Sequence, residues 1–372
     1  MRRTTVAGLI LANANDNLLK KLTSHRSMAS VPYGARYRLI DFSLSNLVNA
    51  GITNVGVITK EKYRSLMDHI GSGYHWDLDR KNGGLYMLPP YIEKGVRRYN
   101  GTIDALYGAK EYLNRCKCDY IVIVNSNVLA NVDISAAIDE HISKNADITV
   151  VYAKGKVPYN PNTNMLLTLA KDNKVSLIGF EEECDKEANY SLGITVIGIE
   201  LLQKIVKDAY ENDLESFNYD VLAKKVKQLN IYGFEHKGYV SFMNSMSGYY
   251  KASMDLLNPE IRKDIFNKER PIFTKTRDDM PTRYGTKAQV NDCLVADGCV
   301  IDGTVKNCIL FRGVKIEKGA VVENSILMQG TVVGKDASLD NVIADKNAVI
   351  GEGMVLKGTS KKQFLIAKNQ VL

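Results

Sequence analysis

Cysteine is scarce and unpaired in this sequence: six residues, at 116, 118, 184, 293, 299 and 308, with no C-x-x-C spacing among them. That excludes a small disulfide-stapled scaffold and gives no zinc signature, and reduced thiols in a cytoplasmic protein are expected. No apolar run approaches the roughly 20 residues that cross a bilayer, so no membrane segment is predicted. Arg2 and Arg3 ahead of the apolar residues 6–12 mimic a secretion signal, but the run is short and reads better as a buried parallel strand. There is no basic arm and no alternation of basic and aromatic residues. The 49 lysines and arginines against 42 acids leave a charge of +7 scattered along the chain, which argues against nucleic-acid binding. Locally paired arginines suit small anions such as sugar phosphates and nucleotides better.

A further absence lies near the start. Residues 6–12 form an apolar run that breaks into small polar residues with a helical pattern behind it, the pattern of a first α/β strand emptying into a ligand loop. Such a loop uses glycines so that backbone N–H groups can reach phosphates, and a basic side chain to neutralise charge. Between Ala12 and Ser24 there is no glycine and no arginine. The frame of a phosphate loop is present without its chemical contents.

At 372 residues the chain exceeds what one core usually holds, so two domains are expected. Asp41 stands where an N-cap would, ahead of Phe42, Leu44, Leu47 and Val48 on one helical face, with Gly51 just past the end. Strands are predicted over residues 54–59, 120–124 and 148–151, and helices near 62–70, 134–145, 200–209 and 219–228, with a long Gly, Pro and Tyr-rich loop ending near 98. Thr102 is placed to cap the helix that follows it. This alternation argues for a parallel sheet with right-handed crossovers. Beyond Thr286 apolar pairs recur every five or six residues, among them Val300 with Ile301, Ile309 with Leu310 and Val332 with Val333. That period predicts a left-handed parallel β-helix of hexapeptide repeats, with Gly298, Gly303, Gly313, Gly319, Gly330 and Gly334 at its corners; a β-sandwich would alternate with period two. The expected division is an α/β domain over 1–270, a linker over 271–287 and the β-helix over 288–372.

The segments Tyr33-Gly34, Arg36-Tyr-Arg-Leu-Ile-Asp-Phe42, Leu44-Ser-Asn46, Asn49-Ala-Gly-Ile52, Val57-Ile-Thr59 and His69-Ile70 before Gly73 are specific. From Val6 to about Gly73, and in patches to Val355, the sequence resembles the ADP-glucose pyrophosphorylase (glucose-1-phosphate adenylyltransferase) family of bacterial glycogen synthesis. Within it the chain is similar to the GlgD-type second subunit of Firmicutes rather than to the catalytic one. The resemblance implies a Rossmann-like, GT-A-like nucleotidyltransferase domain with a mostly parallel sheet, followed by a β-helix that mediates subunit packing. Tyr99-Asn-Gly-Thr-Ile-Asp-Ala resembles the family's GTADA segment beside the nucleotide, which makes Gly101, Thr102 and Asp104 expected remnants of the substrate pocket. Tyr190-Ser-Leu-Gly-Ile-Thr-Val196 resembles a strand near the sugar site and adds Ser191 and Gly193; Glu182 is retained opposite the sugar.

Adenylyl transfer from ATP to a sugar 1-phosphate needs in-line positioning, Mg²⁺ held by carboxylates and cations on the triphosphate. The family supplies them from a GGxGxRL loop and from KPA, GDH, YWRDVGT and EKP motifs. Here the loop glycines fall on Asn13, Ala14 and Asp16 and its arginine on Leu18. The KPA lysine becomes Met28, the first metal carboxylate Asn127, the second Phe242, and the EKP lysine Glu183. Leucine cannot donate to phosphate, a phenyl ring cannot ligate a metal, and Asp16 adds repulsion. The resemblance therefore implies a regulatory subunit that is inactive alone and holds no metal or cofactor, with Mg²⁺ belonging to a catalytic partner subunit in a hetero-oligomer, a tetramer. A homo-oligomer is the other assembly. Arg26, Arg36 and Arg38 lie close to where the family's sugar-bisphosphate activator is contacted, with His25 at one lysine position. All three are expected phosphate contacts; for Arg36 and Arg38 the alternative is structural salt bridges to groups such as Asp41. Two further readings stand beside this one: an active nucleotidyltransferase with other carboxylates, Asp41, Asp104 or Asp133, and a purely structural scaffold.

Overall fold

A computed structural model describes residues 4–12, 17–90 and 101–372, the side chain of Asp185 excepted. The loop positions Asn13, Ala14 and Asp16, and Tyr99 and Asn100 ahead of Gly101, lie outside the described residues. The Val and Ile runs that read as buried strands form a nine-stranded sheet. Val6–Leu11 lies at its centre, parallel to Asn54–Ile58 on one side and to Tyr120–Asn125 on the other. Gly84–Leu88 adds a parallel edge strand inside the stretch expected as loop. Beyond Tyr120–Asn125 the long strand Cys184–Gly198 runs antiparallel, and it pairs with both Ile148–Val157 and Asn164–Leu169. Ile231–Glu235 then lies parallel to Ile148–Val157, and Val175–Glu181 antiparallel to Asn164–Leu169. Only Cys184–Gly198 and Val175–Glu181 therefore oppose the common direction, and the sheet is mixed but mostly parallel.

Helix α1, Leu39–Asn49, starts one turn earlier than its caps suggest. Arg38 is the N-cap, and Asp41 reaches back from the third helical position to accept the Arg38 backbone N–H at 3.0 Å. The other Asp41 oxygen takes His69, on α2, Arg64–Ile70, at 2.6 Å. Burial holds the His69 pKa below its ordinary value against the pull of Asp41, so a neutral ring donates this bond. After α3, Thr102–Gly108, the stretch predicted as helix over 219–228 is instead a wide π-type segment, Phe217–Ala223.

The C-terminal part is a left-handed β-helix with three five-stranded parallel sheets. Its first strand, Arg283–Tyr284, already lies within the segment expected as linker. Gly298, Gly313, Gly319 and Gly330 turn corners with positive φ, whereas Gly303 and Gly334 do not. Another corner is built from Asn307, Asn324 and Asn341, all left-handed and stacked coil upon coil, with the Asn307 amide donating to Asn324 Oδ1 at 2.6 Å. The two domains share one apolar cluster. Met28, Tyr33, Phe42 and Tyr249 from the α/β part pack with Ile309, Phe311, Ile326 and Ile343 from the coils. No helix among the described residues is long and apolar enough to cross a membrane.

Candidate functional site

The C-terminal edge of the parallel strands opens into a cleft of about 420 Å³, where α/β sheets take their ligands. Asn125 ends its strand there. Gly193 has φ +65°, and a Cβ on it would stand 2.4 Å from the Asn125 amide nitrogen, so only glycine lets the antiparallel neighbour close over the floor. On the opposite wall a Cβ at Gly101 would meet the Glu215 carbonyl oxygen at 2.2 Å. Gly101, not Thr102, is the N-cap of α3; the Thr102 hydroxyl instead accepts the Phe217 backbone N–H at 3.0 Å.

The two positions expected to have lost metal carboxylates come together. Ser241–Phe242 pairs with Val128–Leu129, Phe242 opposite Val128, which sets Phe242 beside Asn127 at the cleft. Asn127 donates its amide to Asn244 Oδ1 at 3.1 Å, leaving a neutral carbonyl oxygen. One neutral oxygen and a phenyl ring do not fit Mg²⁺, a hard cation that takes carboxylate and phosphate oxygens. Among the described lining residues there is no lysine or arginine, and the one charged side chain, Glu215, is negative.

The remaining sequence candidates divide. Ser191 and Gly193 line the cleft with Gly101 and Thr102. Met28 is fully buried and Leu18 packs against the same interdomain cluster, so both positions expected to have lost cations are apolar packing. Glu182 and Glu183 are exposed and do not line the cleft, and Asp104 is buried in the first turn of α3. Asp133 caps the helix Ile134–Ser143 by accepting the Ala136 N–H at 3.0 Å and pairs with Arg270 at 3.5 Å. Asp41 is engaged with His69 and the Arg38 backbone. Asp41, Asp133 and Asp104 thus hold structure together, and none reaches the cleft as an alternative metal ligand.

A second cavity, about 320 Å³, lies at the seam between the domains. Arg36 and Arg38 enter it from the turn before α1, Lys275 and Arg277 from the linker, and Arg312, Lys346 and Lys368 from the coils, with Asp68 as the only carboxylate among the described lining residues. Some of these cations are restrained: Arg38 donates to the Ser65 carbonyl at 2.7 Å, Lys275 to the Asp68 carbonyl at 2.8 Å, and Arg36 pairs with the exposed Asp297 at 3.2 Å. Arg26 does not belong to this lining. It is buried behind it, with Nη2 on both oxygens of Asp345 at 2.8 and 3.0 Å. Burial, then the neighbouring Arg38 and Arg26, lower the Lys346 pKa from 10.5 to about 7. Burial also lowers Arg38 to about 10, which leaves it charged. Crowded, partly desolvated cations of this kind gain most from a multivalent anion.

Sequence inspection missed five of these seven cations because they come from separated segments. One signal was available: Arg312, Gln329, Lys346 and Lys368 occupy one position of successive coils, each carbonyl from Arg312 to Lys346 accepting the N–H that follows the next residue in the stack, at 2.9–3.0 Å. Polar side chains recurring at one coil position mark a built face.

Residues 7–256 match the nucleotidyl transferase family, and 278–367 match the GlmU-like C-terminal hexapeptide family. The chain is 33% identical over 320 residues to the glycogen biosynthesis protein GlgD of Bacillus subtilis, covering 86% of this chain and 83% of that one. It is equally 33% identical over 330 residues to glucose-1-phosphate adenylyltransferase of Geobacillus stearothermophilus, covering 87% and 84%. The same holds for the Bacillus anthracis enzyme of that name, 33% over 322 residues and 84% of each chain.

Proposed function

Because this chain belongs to the glucose-1-phosphate adenylyltransferase family of nucleotidyl transferases, we propose that it serves glycogen biosynthesis in the cytoplasm as a regulatory subunit that does not catalyse. It binds a catalysing glucose-1-phosphate adenylyltransferase chain in a hetero-oligomer and shifts that chain toward its active state. The placing of Asn127 and Phe242 in one cleft carries this reading, since neither of these two expected metal positions holds a carboxylate. Removing one group that stabilises phosphoryl charge typically costs about 10²–10³-fold in rate, so the combined exchanges leave little turnover. Magnesium is then held by the partner chain. The cationic seam supports an effector role, with a sugar phosphate or similar multivalent anion as the effector.

Two measurements test this. The purified chain, given ATP, Mg²⁺ and glucose 1-phosphate, is expected to form no measurable ADP-glucose; clear turnover that is lost on substituting a cleft residue such as Ser191 would restore the enzyme reading. Titrated into a catalysing glucose-1-phosphate adenylyltransferase subunit, the chain is expected to associate and to lower the substrate concentration at half-maximal rate by about 5- to 150-fold, the usual range of allosteric coupling. Association with unchanged kinetics leaves a scaffold, and no association at micromolar concentration removes both roles.

A further inference from the structure

Helix α4, Lys110–Arg115, stops at Cys116, which leaves it in an extended conformation, φ −72° and ψ 101°, on the way to the strand Tyr120–Asn125. Residues two apart in extended backbone face the same side. Cys116 and Cys118 accordingly meet, with the exposed Lys117 between them, and the Cys118 Sγ–H donates to Cys116 Sγ at 3.4 Å. The Asn54 amide donates to the same Cys116 Sγ at 3.2 Å, while Asn54 Oδ1 and the Gly8 carbonyl share the Tyr112 hydroxyl at 3.1 Å each. Just after the pair, Asp119 Oδ2 accepts the Thr5 N–H at 2.8 Å and the Thr5 hydroxyl at 3.0 Å, which ties this corner to the head of the central strand. The thiols therefore sit where Tyr120–Asn125 begins, at the opposite edge of the sheet from the cleft, and neither the cleft nor the seam uses them.

Thiols that merely fill a core need neither a thiol neighbour nor solvent, yet Cys118 is half-buried and Cys116 is 8% exposed, so solvent reaches the pair. Among the described residues no group of three or more His, Cys, Asp or Glu is placed to hold a metal ion. Exchange with an external disulfide remains, and it needs only two adjacent thiols. We infer that Cys116 and Cys118 form a dithiol modification site that reacts with low-molecular-weight disulfides and closes to a reversible Cys116–Cys118 bond. Cys116 attacks first. The hydrogen bond from Cys118 holds the Cys116 thiol below its ordinary value, against burial and with help from the Tyr112 hydroxyl. Its thiolate displaces one thiolate from the incoming disulfide and leaves a mixed disulfide on Cys116. That ends the hydrogen bond to Cys116 that chiefly raises the Cys118 pKa, so Cys118 gives up its proton and attacks the Cys116 sulfur, expelling the second small thiolate. Two protein thiols are oxidised, one external disulfide is reduced to two thiols, and the two protons pass from the protein to the released thiols. The inference takes nothing from the cleft or the seam and holds whether or not the chain activates a partner.

The test holds the full folded chain in glutathione disulfide and glutathione at a series of ratios, alkylates the free thiols and maps the peptides by mass. Cleavage at glutamate gives residues 112–140 as one peptide that carries both thiols and no other cysteine. The expected result is that this peptide loses two hydrogens, escapes alkylation as the disulfide fraction rises, and takes two alkyl groups again when dithiothreitol is added first. Cys118→Ser should trap the mixed disulfide on Cys116. Cys116→Ser should slow glutathione addition at Cys118 by about tenfold, the usual advantage of a thiolate over a thiol near neutral pH. Mapping of the unsubstituted chain decides the matter even where a variant does not fold. Both thiols staying open to alkylation, glutathione persisting on one of them without ring closure, or oxidation confined to Cys293 and Cys308, which precede paired strands on neighbouring coils, would each overturn the proposal.

Discussion

Asp345→Ala is expected to lower the unfolding free energy by about 3–5 kcal/mol, the cost of breaking a buried ion pair by deleting one partner. The Arg26 and Asp345 side chains are 4% and 2% exposed, and one guanidinium nitrogen serves both carboxylate oxygens. Arg26 Nη1 has no hydrogen-bond partner among the described residues, so the loss of Asp345 leaves both terminal nitrogens without one. Urea unfolding checks this, and a change below about 1 kcal/mol would mean that water reaches the pair. Exchanging both residues together, Arg26→Met with Asp345→Leu, should recover most of the loss, because the buried charge is removed along with its partner. The result matters for function, since this pair fixes the segment before α1 to the coils that carry Lys346.

The second large effect is a dependence of anion affinity on pH. Lys346 in the free protein titrates near 7, well below its ordinary 10.5, chiefly because it is buried and next because Arg38 and Arg26 face it. Binding a multivalent anion favours the charged lysine, so affinity is flat below pH 7 and falls above it by up to about tenfold per pH unit, or about a hundredfold by pH 9. Sulfate is the suitable probe, because its own charge does not change in this range. Lys346→Arg should flatten the profile, and Lys346→Met should weaken binding at pH 6 and remove the slope. An unchanged slope in Lys346→Met assigns the titration elsewhere. Without a ligand the sign is opposite in its consequence for folding. The unfolded chain holds this proton more tightly, so the lysine's contribution to stability is greatest above pH 10.5, declines as pH falls toward 7, and is constant below.

Much of the architecture could be read from the sequence because its signals are local. The apolar runs of Val6–Leu11 and Tyr120–Asn125 have only one plausible use, and the short apolar pairs beyond Thr286 repeat at the spacing of a coil. Phe242 and Asn127 come from segments more than a hundred residues apart, and only the pairing of Ser241–Phe242 with Val128–Leu129 brings them to one cleft. Gly84–Leu88 was hidden: two glycines and a tyrosine-rich surrounding outweigh a five-residue edge strand that exists only because Asn54–Ile58 pairs with it. Arg26 looked like a ligand contact because a sequence shows a cation but not the Asp345 that neutralises it from more than three hundred residues away. Basic residues that look scattered in the sequence are gathered by the fold, seven of them, at one seam.

The apolar cluster that runs from Met28 and Tyr249 into Ile309, Ile326 and Ile343 also bears on how the molecule melts. Neither half can loosen without uncovering the other's side chains, so the α/β part and the coils should lose structure together as one cooperative unit. Scanning calorimetry of the full chain is expected to give a single endotherm whose calorimetric and van't Hoff enthalpies agree, shifted upward as a whole when sulfate occupies the seam.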